Sequence, residues 1–146
     1  MKKIILYIFL VACSLTISAQ GKFDPKRFTR DQEAFITKHA KLSQQEAAAF
    51  FPLFREMQQK ARPLFKKQRD LVRRNPQNDS EAISTINEID EIDLQLRKLQ
   101  QQYHKKFCKA IAPMKVHSCL RAEEIFKHKT MERMAQRNTP RGGKNK

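Results

Sequence analysis

Residues 43–74 read SQQEAAAFFPLFREMQQKARPLFKKQRDLVRR, and this stretch decides the fold. Ser43-Gln44-Gln45-Glu46 has the form of a capping box. The Ser43 hydroxyl accepts the backbone N–H of Glu46, and the Glu46 carboxylate accepts the N–H of Ser43. From that start, apolar residues recur at three- and four-residue steps: Phe50, Phe54, Met57, Ala61, Leu64 or Phe65, and Leu71. That is the spacing of one helix face. Pro52 and Pro63 fall inside the run, and each deletes a backbone hydrogen bond and bends the helix. They sit about three turns apart at 3.6 residues per turn, so they share a face. The stripe continues through both, which predicts one curved helix reaching about Arg74 rather than two helices split at Pro63.

The same period extends outward. Asn75-Pro76-Gln77 reads as a turn, and Asn78 or Ser80 caps a third helix over 80–111, with Glu81 in its first turn. Its stripe is Ile83, Ile86, Ile89, Leu96, Leu99, Tyr103, Phe107 and Ile111. Ala112-Pro113 breaks the chain, and a fourth helix over 114–136 turns Val116, Leu120, Phe126 and Met134 to its apolar side. Toward the N-terminus, residues 20–29 read as an extended basic arm with Phe23 and Phe28. A short helix follows over 30–40, capped by Thr29 with Gln32 three residues on, and Phe35, Ile36 and His39 share a face. The chain has three glycines and is dominated by Gln, Lys, Glu, Arg, Ala and Leu, all good helix formers. The expectation is an all-α protein, an elongated bent helical hairpin of about four helices.

The ends set the compartment. Met1-Lys2-Lys3 is a positive start, Ile4 to Ile17 is apolar, and Ser18-Ala19-Gln20 offers a small-residue cleavage site. That is the layout of a secretory signal peptide over 1–19. The apolar run is shorter than the roughly 20 residues that an ordinary membrane-spanning helix needs. Leu10-Val11-Ala12-Cys13 has the form of a lipid-attachment site, but apolar residues continue beyond Cys13, so it reads as part of the signal. The expectation is export to the periplasm, a single helical domain over 20–137, and a polar basic tail over 138–146 that carries no fold.

With 30 basic and 15 acidic residues, the chain carries a formal charge of +15. Such a field commonly meets nucleic acid, but an exported protein encounters none. Anionic lipid, lipopolysaccharide or acidic unfolded polypeptide fit better. Two charge blocks face each other across the turn at Asn75. Lys60, Arg62, Lys66, Lys67, Arg69, Arg73 and Arg74 lie on one side, and Asp79, Glu81, Glu88, Asp90, Glu91 and Asp93 on the other. Cross-helix pairing of these blocks would set register and contribute little stability. Residues 97–137 hold eleven bases against three acids, with no acidic block to meet them. Lys105, Lys106, Lys109 and Arg121 are therefore candidates for a functional surface. Cys108 and Cys119, an even pair in an exported chain, read either as a disulfide or as two buried free thiols.

Three segments carry a resemblance: Leu42-Ser43-Gln44-Gln45-Glu46, Phe50-Phe51-Pro52-Leu53-Phe54 and Arg121-Ala122-Glu123-Glu124-Ile125-Phe126. Together they resemble the Spy/CpxP group of small periplasmic stress proteins, which carry LTxxQ motifs. Here serine stands for threonine and Glu46 for glutamine, and both keep the capping chemistry. A second copy of the motif falls at Ile111-Ala112-Pro113-Met114-Lys115, where the threonine and glutamine are both gone. The resemblance implies a bent antiparallel homodimer shaped like a cradle. It also implies either ATP-independent chaperone activity or modulation of an envelope stress sensor. On that reading Phe50, Phe51, Phe54, Met57 and Phe65, with Lys105, Lys106, Lys109 and Arg121, would hold unfolded or misfolded envelope proteins.

Nothing in the sequence points to catalysis. There is no glycine-rich phosphate loop, no nucleophile elbow and no CxxC redox pair, so neither an enzyme nor a cofactor is expected. His39, His104, His117 and His128 lack HxxxH or HExxH spacing and read as scattered histidines. The competing readings are a regulatory partner of a membrane stress sensor or sigma-factor control protein, and a metal-binding stress protein.

Overall fold

The computed structural model describes residues 24–138. The expected signal peptide, Cys13, Phe23 and residues 139–146 of the tail lie outside them. Four helices make up the described fold: α1 (Pro25–Ala40), α2 (Gln44–Val72), α3 (Asp79–Ala110) and α4 (Pro113–Asn138). The protein is all-α, with no strand among the described residues. It divides into two units, one ending at Asp31 and the other starting at Gln32.

The first unit corrects an expectation. Residues 25–29 are helical rather than extended, and Asp24 is the cap in place of Thr29. Asp24 Oδ1 accepts the backbone N–H groups of Lys26 (2.9 Å) and Arg27 (3.2 Å). Pro25 fills the first helical position, where its missing N–H costs nothing. An Asp-Pro pair is thus a stronger start than Thr29, whose hydroxyl donates to the Pro25 carbonyl inside the helix (3.0 Å).

In the second unit the capping box forms as its residue types require. The Glu46 N–H donates to Ser43 Oγ (3.1 Å), and the Ser43 N–H donates to Glu46 Oε2 (2.8 Å). α2 then runs 29 residues without a break through Pro52 and Pro63. Both prolines are exposed, as are Ala48 and Gln59, whose carbonyls lose their partners. Water can take those carbonyls, which is why the helix tolerates two prolines. Asn78 caps α3 by accepting the Glu81 N–H (2.9 Å).

α2 and α3 form an antiparallel hairpin. Phe50 and Phe54 meet Phe107 at one end (ring centroids 4.8 and 6.5 Å), and Arg74 meets Glu88 at the other (3.1 Å). The core falls into two clusters. The near cluster gathers Ile36 from α1, Phe50, Phe51 and Phe54 from α2, Tyr103 and Phe107 from α3, and Val116 and Cys119 from α4. The far cluster is a seam of Ala61, Leu71, Ile92 and Leu96.

Polar ties hold α1 against α2. Arg55 grips Glu33 with two hydrogen bonds (2.6 and 2.9 Å), and Gln58 donates to the buried Gln32 (3.0 Å). The turn after α1 places Lys41 at φ 51°, a conformation that favours glycine. Lys115 of α4 donates to the Lys41 carbonyl (2.6 Å) and lies 3.9 Å from Glu46, linking the end of α1 to the start of α2.

Two further expectations need correction. Ile83 and Ile86 are not on the buried stripe of α3 but exposed, and Thr85 is buried in their place. Of the two charge blocks, Arg74–Glu88 makes a cross-helix ion pair, while Lys60 and Lys66 pair within α2, with Glu56 and Asp70. Asp93 instead accepts from Gln68 (2.6 Å).

Candidate binding surface

The proposed client-binding residues separate into two groups. Phe50, Phe51, Phe54 and Met57 are core residues, buried in the near cluster. Phe50 stacks on Phe54 (5.5 Å) and meets Phe51 edge-on (5.4 Å), so these rings satisfy each other and Phe107. Phe51 lies off the Phe50 stripe and is buried nonetheless, because α1 and α4 cover a second flank of α2 here. These four cannot touch a client unless the core opens.

Phe65, Lys105, Lys106, Lys109 and Arg121 are exposed. They lie on three helices. Lys105 and Lys109 are four residues apart on one face of α3. Lys106 points elsewhere, its Nζ 4.3 Å from the Tyr103 ring centroid, with Lys60 5.6 Å from the same ring. Arg121 is on α4, on the side away from the buried Val116, Cys119 and Ala122.

A more coherent surface lies along the far half of α2. Phe65 is 48% exposed and Val72 66%. They are seven residues apart, two turns, and therefore share a side of the helix. Arg62 and Arg69 fall on that same side, at three- and four-residue steps, with Lys66 and Arg73 next to them. Arg62, Arg69 and Arg73 make no ion pair among the described residues. Lys66 binds Asp70 (2.9 Å), whose carboxyl is held below its usual range by that lysine first and by Arg69 and Arg73 after it. The result is an apolar strip edged by cations, able to seat apolar side chains while attracting carboxylates. The periodicity hinted at Phe65, since Leu64 and Phe65 compete for one stripe position. Leu64 took the seam and Phe65 was left outside.

Cys108 and Cys119 are both free thiols, so the disulfide reading gives way to two unbridged cysteines. They are also unlike each other. Cys108 is exposed, whereas Cys119 is buried and its thiol pushed up to about 11, by burial first and by Glu46 after it. Cys119 is therefore an inert core residue at neutral pH.

Among the described residues no three His, Cys, Asp or Glu side chains converge as a metal site would require. No helix among them is long and apolar enough to cross a membrane. Compared with protein-family models, curated proteins and solved structures, the chain matches none.

Proposed function

We propose that the protein is a non-enzymatic, ATP-independent binder of unfolded polypeptides in the bacterial envelope, as its resemblance to the Spy/CpxP group implies. The observation that carries this reading is the exposed Phe65–Val72 strip of α2 set among Arg62, Lys66, Arg69 and Arg73. Without Lys2 and Lys3 of the expected signal segment, 28 basic and 15 acidic residues leave a formal charge of +13, which attracts acidic chains over a distance set by the ionic strength. Exposed apolar side chains then hold what arrives. Because the strip is narrow and wet, each contact is weak, which suits a binder that must release its client.

The test is suppression of aggregation of a chemically denatured acidic protein by the purified chain, without nucleotide. Suppression that falls on raising the salt, and falls again in the Phe65→Ser and Arg62→Ser/Arg69→Ser variants, supports the reading. Full suppression by all these variants, or none by the parent protein, overturns it. Helical content measured alongside keeps a folding defect from being mistaken for lost binding.

A further inference from the structure

Between Asp93 and Glu123 the chain holds seven bases and no acid. Three of these bases form a row on α3. Lys98, Lys105 and Lys109 each follow a buried residue, Leu96, Tyr103 and Phe107, by two positions. Two positions turn a helix by about 200°, so all three lysines stand on the side opposite the core. They are spread along about 16 Å of helix at a rise of 1.5 Å per residue. All three are exposed, and none makes an ion pair among the described residues. Gln102 falls between Lys98 and Lys105 on the same side and is exposed too.

The fold does not account for this row. Lys109 stands in the last turn of α3, where a cation complements the unpaired carbonyls of a helix end. That effect fades within one turn and does not extend to Lys98 or Lys105. Among the described residues, no carboxylate of a neighbouring helix meets the row, as Glu88 meets Arg74 and Glu33 meets Arg55 elsewhere. The row also differs from the cationic strip of α2. That strip interleaves its cations with Phe65 and Val72, whereas no large apolar side chain is exposed between Leu94 and Met114 among the described residues. Cations and glutamine without apolar neighbours suit a layer of fixed negative charge. They do not suit an unfolded chain, which must be held by its apolar side chains.

We propose that this face of α3 docks on an anionic lipid surface, with the helix lying flat along the headgroups and Lys98, Lys105 and Lys109 turned to the lipid phosphates. Three ammonium groups on one side of a helix complement a plane of phosphates, and the Gln102 amide can donate to a phosphate oxygen between them. Each lysine within reach of such a surface tightens binding about fivefold, so the row supplies about a hundredfold. The attraction falls off within a Debye length, about 8 Å at physiological ionic strength, so the face must lie close against the headgroups. α2 packs on the other side of α3, which leaves the Phe65–Val72 strip clear of the lipid. Of the proposed function, this inference uses the location in the envelope and not the binding of clients.

The experiment is co-sedimentation with lipid vesicles, using the purified chain without its expected signal segment 1–19. The chain is expected to sediment with vesicles of equal parts phosphatidylglycerol and phosphatidylcholine, to stay in solution with phosphatidylcholine alone, and to be released as the salt is raised. Lys98→Gln/Lys105→Gln/Lys109→Gln should weaken binding about a hundredfold. The matching Lys→Arg variant keeps the charge and should bind like the parent. Arg62→Ser/Arg69→Ser/Arg73→Ser removes the same number of charges from α2 and should change vesicle binding little. The α3 glutamine variant should still suppress aggregation of the denatured acidic protein, which separates this face from the client strip. Helical content measured alongside tells lost docking from lost folding. No binding to the anionic vesicles, equal binding to both kinds of vesicle, or equal losses in the α2 and α3 variants overturns the proposal. An α3 variant that keeps vesicle binding but loses aggregation suppression also overturns it, and assigns the row to acidic polypeptide instead.

Discussion

The near and far halves of the α2–α3 hairpin are made from helices of similar composition, and what separates them is the number of neighbours. Around Phe50 and Phe107, α1 and α4 add two more walls, and large aromatic side chains disappear from solvent. Around Leu71 and Ile92 there are only the two helices, and a seam between two helices has room for one row of side chains from each. That row is Ala61, Leu71, Ile92 and Leu96, small beside the aromatic cluster. The apolar residues left over, Phe65, Val72, Ile83, Ile86 and Leu94, face water. The proposed client surface, with Phe65 and Val72, lies in this thinly covered half. Burial has followed coverage and not local hydrophobicity.

The comparison is broken most directly from the near side. Phe50 is fully buried and touches three other rings. Phe50→Ala should cost about 3–5 kcal/mol, the range for emptying an aromatic site in a packed core. Chemical denaturation would show it, and a cost under about 1 kcal/mol would mean that the near cluster is not the keystone of the fold. On the far side Leu96→Ala should cost less, about 2–3 kcal/mol, because a two-helix seam can close around the gap. Hydrogen exchange should place that loss in residues around 61–96 while amides near Phe50 and Phe107 stay protected. Uniform loss of protection in both halves would show that they open as one unit.

The two helix caps refine the same contrast, since each offers a side-chain oxygen to the backbone N–H three residues on, at opposite ends of the hairpin. Ser43 caps α2 beside the near core, and Asn78 caps α3 at the far tip. Each alanine substitution removes one hydrogen bond to a backbone N–H, worth about 1 kcal/mol. Ser43→Ala should lower global stability by that amount, whereas Asn78→Ala should appear mainly as faster exchange in the first turns of α3. Equal losses of global stability would place both ends in one cooperative unit.

Much of this organisation was readable from the sequence because it rests on local chemistry. The capping box at Ser43, the Asn78 cap and the passage of α2 through two prolines follow from residues within a turn of each other. The misreading of Ile83 and Ile86 has a definite cause. Ile83, Ile86 and Ile89 follow one another at steps of three, and a helix turning 100° per residue drifts 60° at each such step. Three isoleucines in that series cannot share one narrow face, and the buried row instead runs Thr85, Ile89, Ile92, Leu96, alternating four and three. Burial of Thr85 is tolerable because its hydroxyl donates to the Glu81 carbonyl (2.8 Å). What could not be read was tertiary: that α1 and α4 would cover Phe51, and that the two charge blocks would mostly pair within their own helices or not at all. Exposed pairs contribute too little to dictate such choices.

The smallest expected effect has the most informative sign. Tyr103 is the one buried side chain among the described residues with an unsatisfied polar atom, its hydroxyl. It lies close enough to the Glu56–Lys60 pair (2.9 Å) to help hold the Glu56 carboxyl down and the Lys60 ammonium up, yet it meets neither group in good hydrogen-bond geometry. Its ring is well used, set against Phe107 (6.2 Å) and under Lys106. Tyr103→Phe keeps the ring, its packing and the cation above it, and removes only a hydroxyl whose burial is poorly compensated. An unpaired buried hydroxyl costs on the order of 1 kcal/mol or more, so the variant should be as stable as the parent or up to about 1 kcal/mol more stable. Tyr103 belongs to the near cluster, and its ring also meets Lys60, next to Ala61 of the far seam, so its orphaned hydroxyl lies where the two clusters adjoin. If Tyr103→Phe instead destabilises by about 1 kcal/mol in urea denaturation, the hydroxyl does hold a partner, and the fully satisfied core extends further along the hairpin toward Ala61.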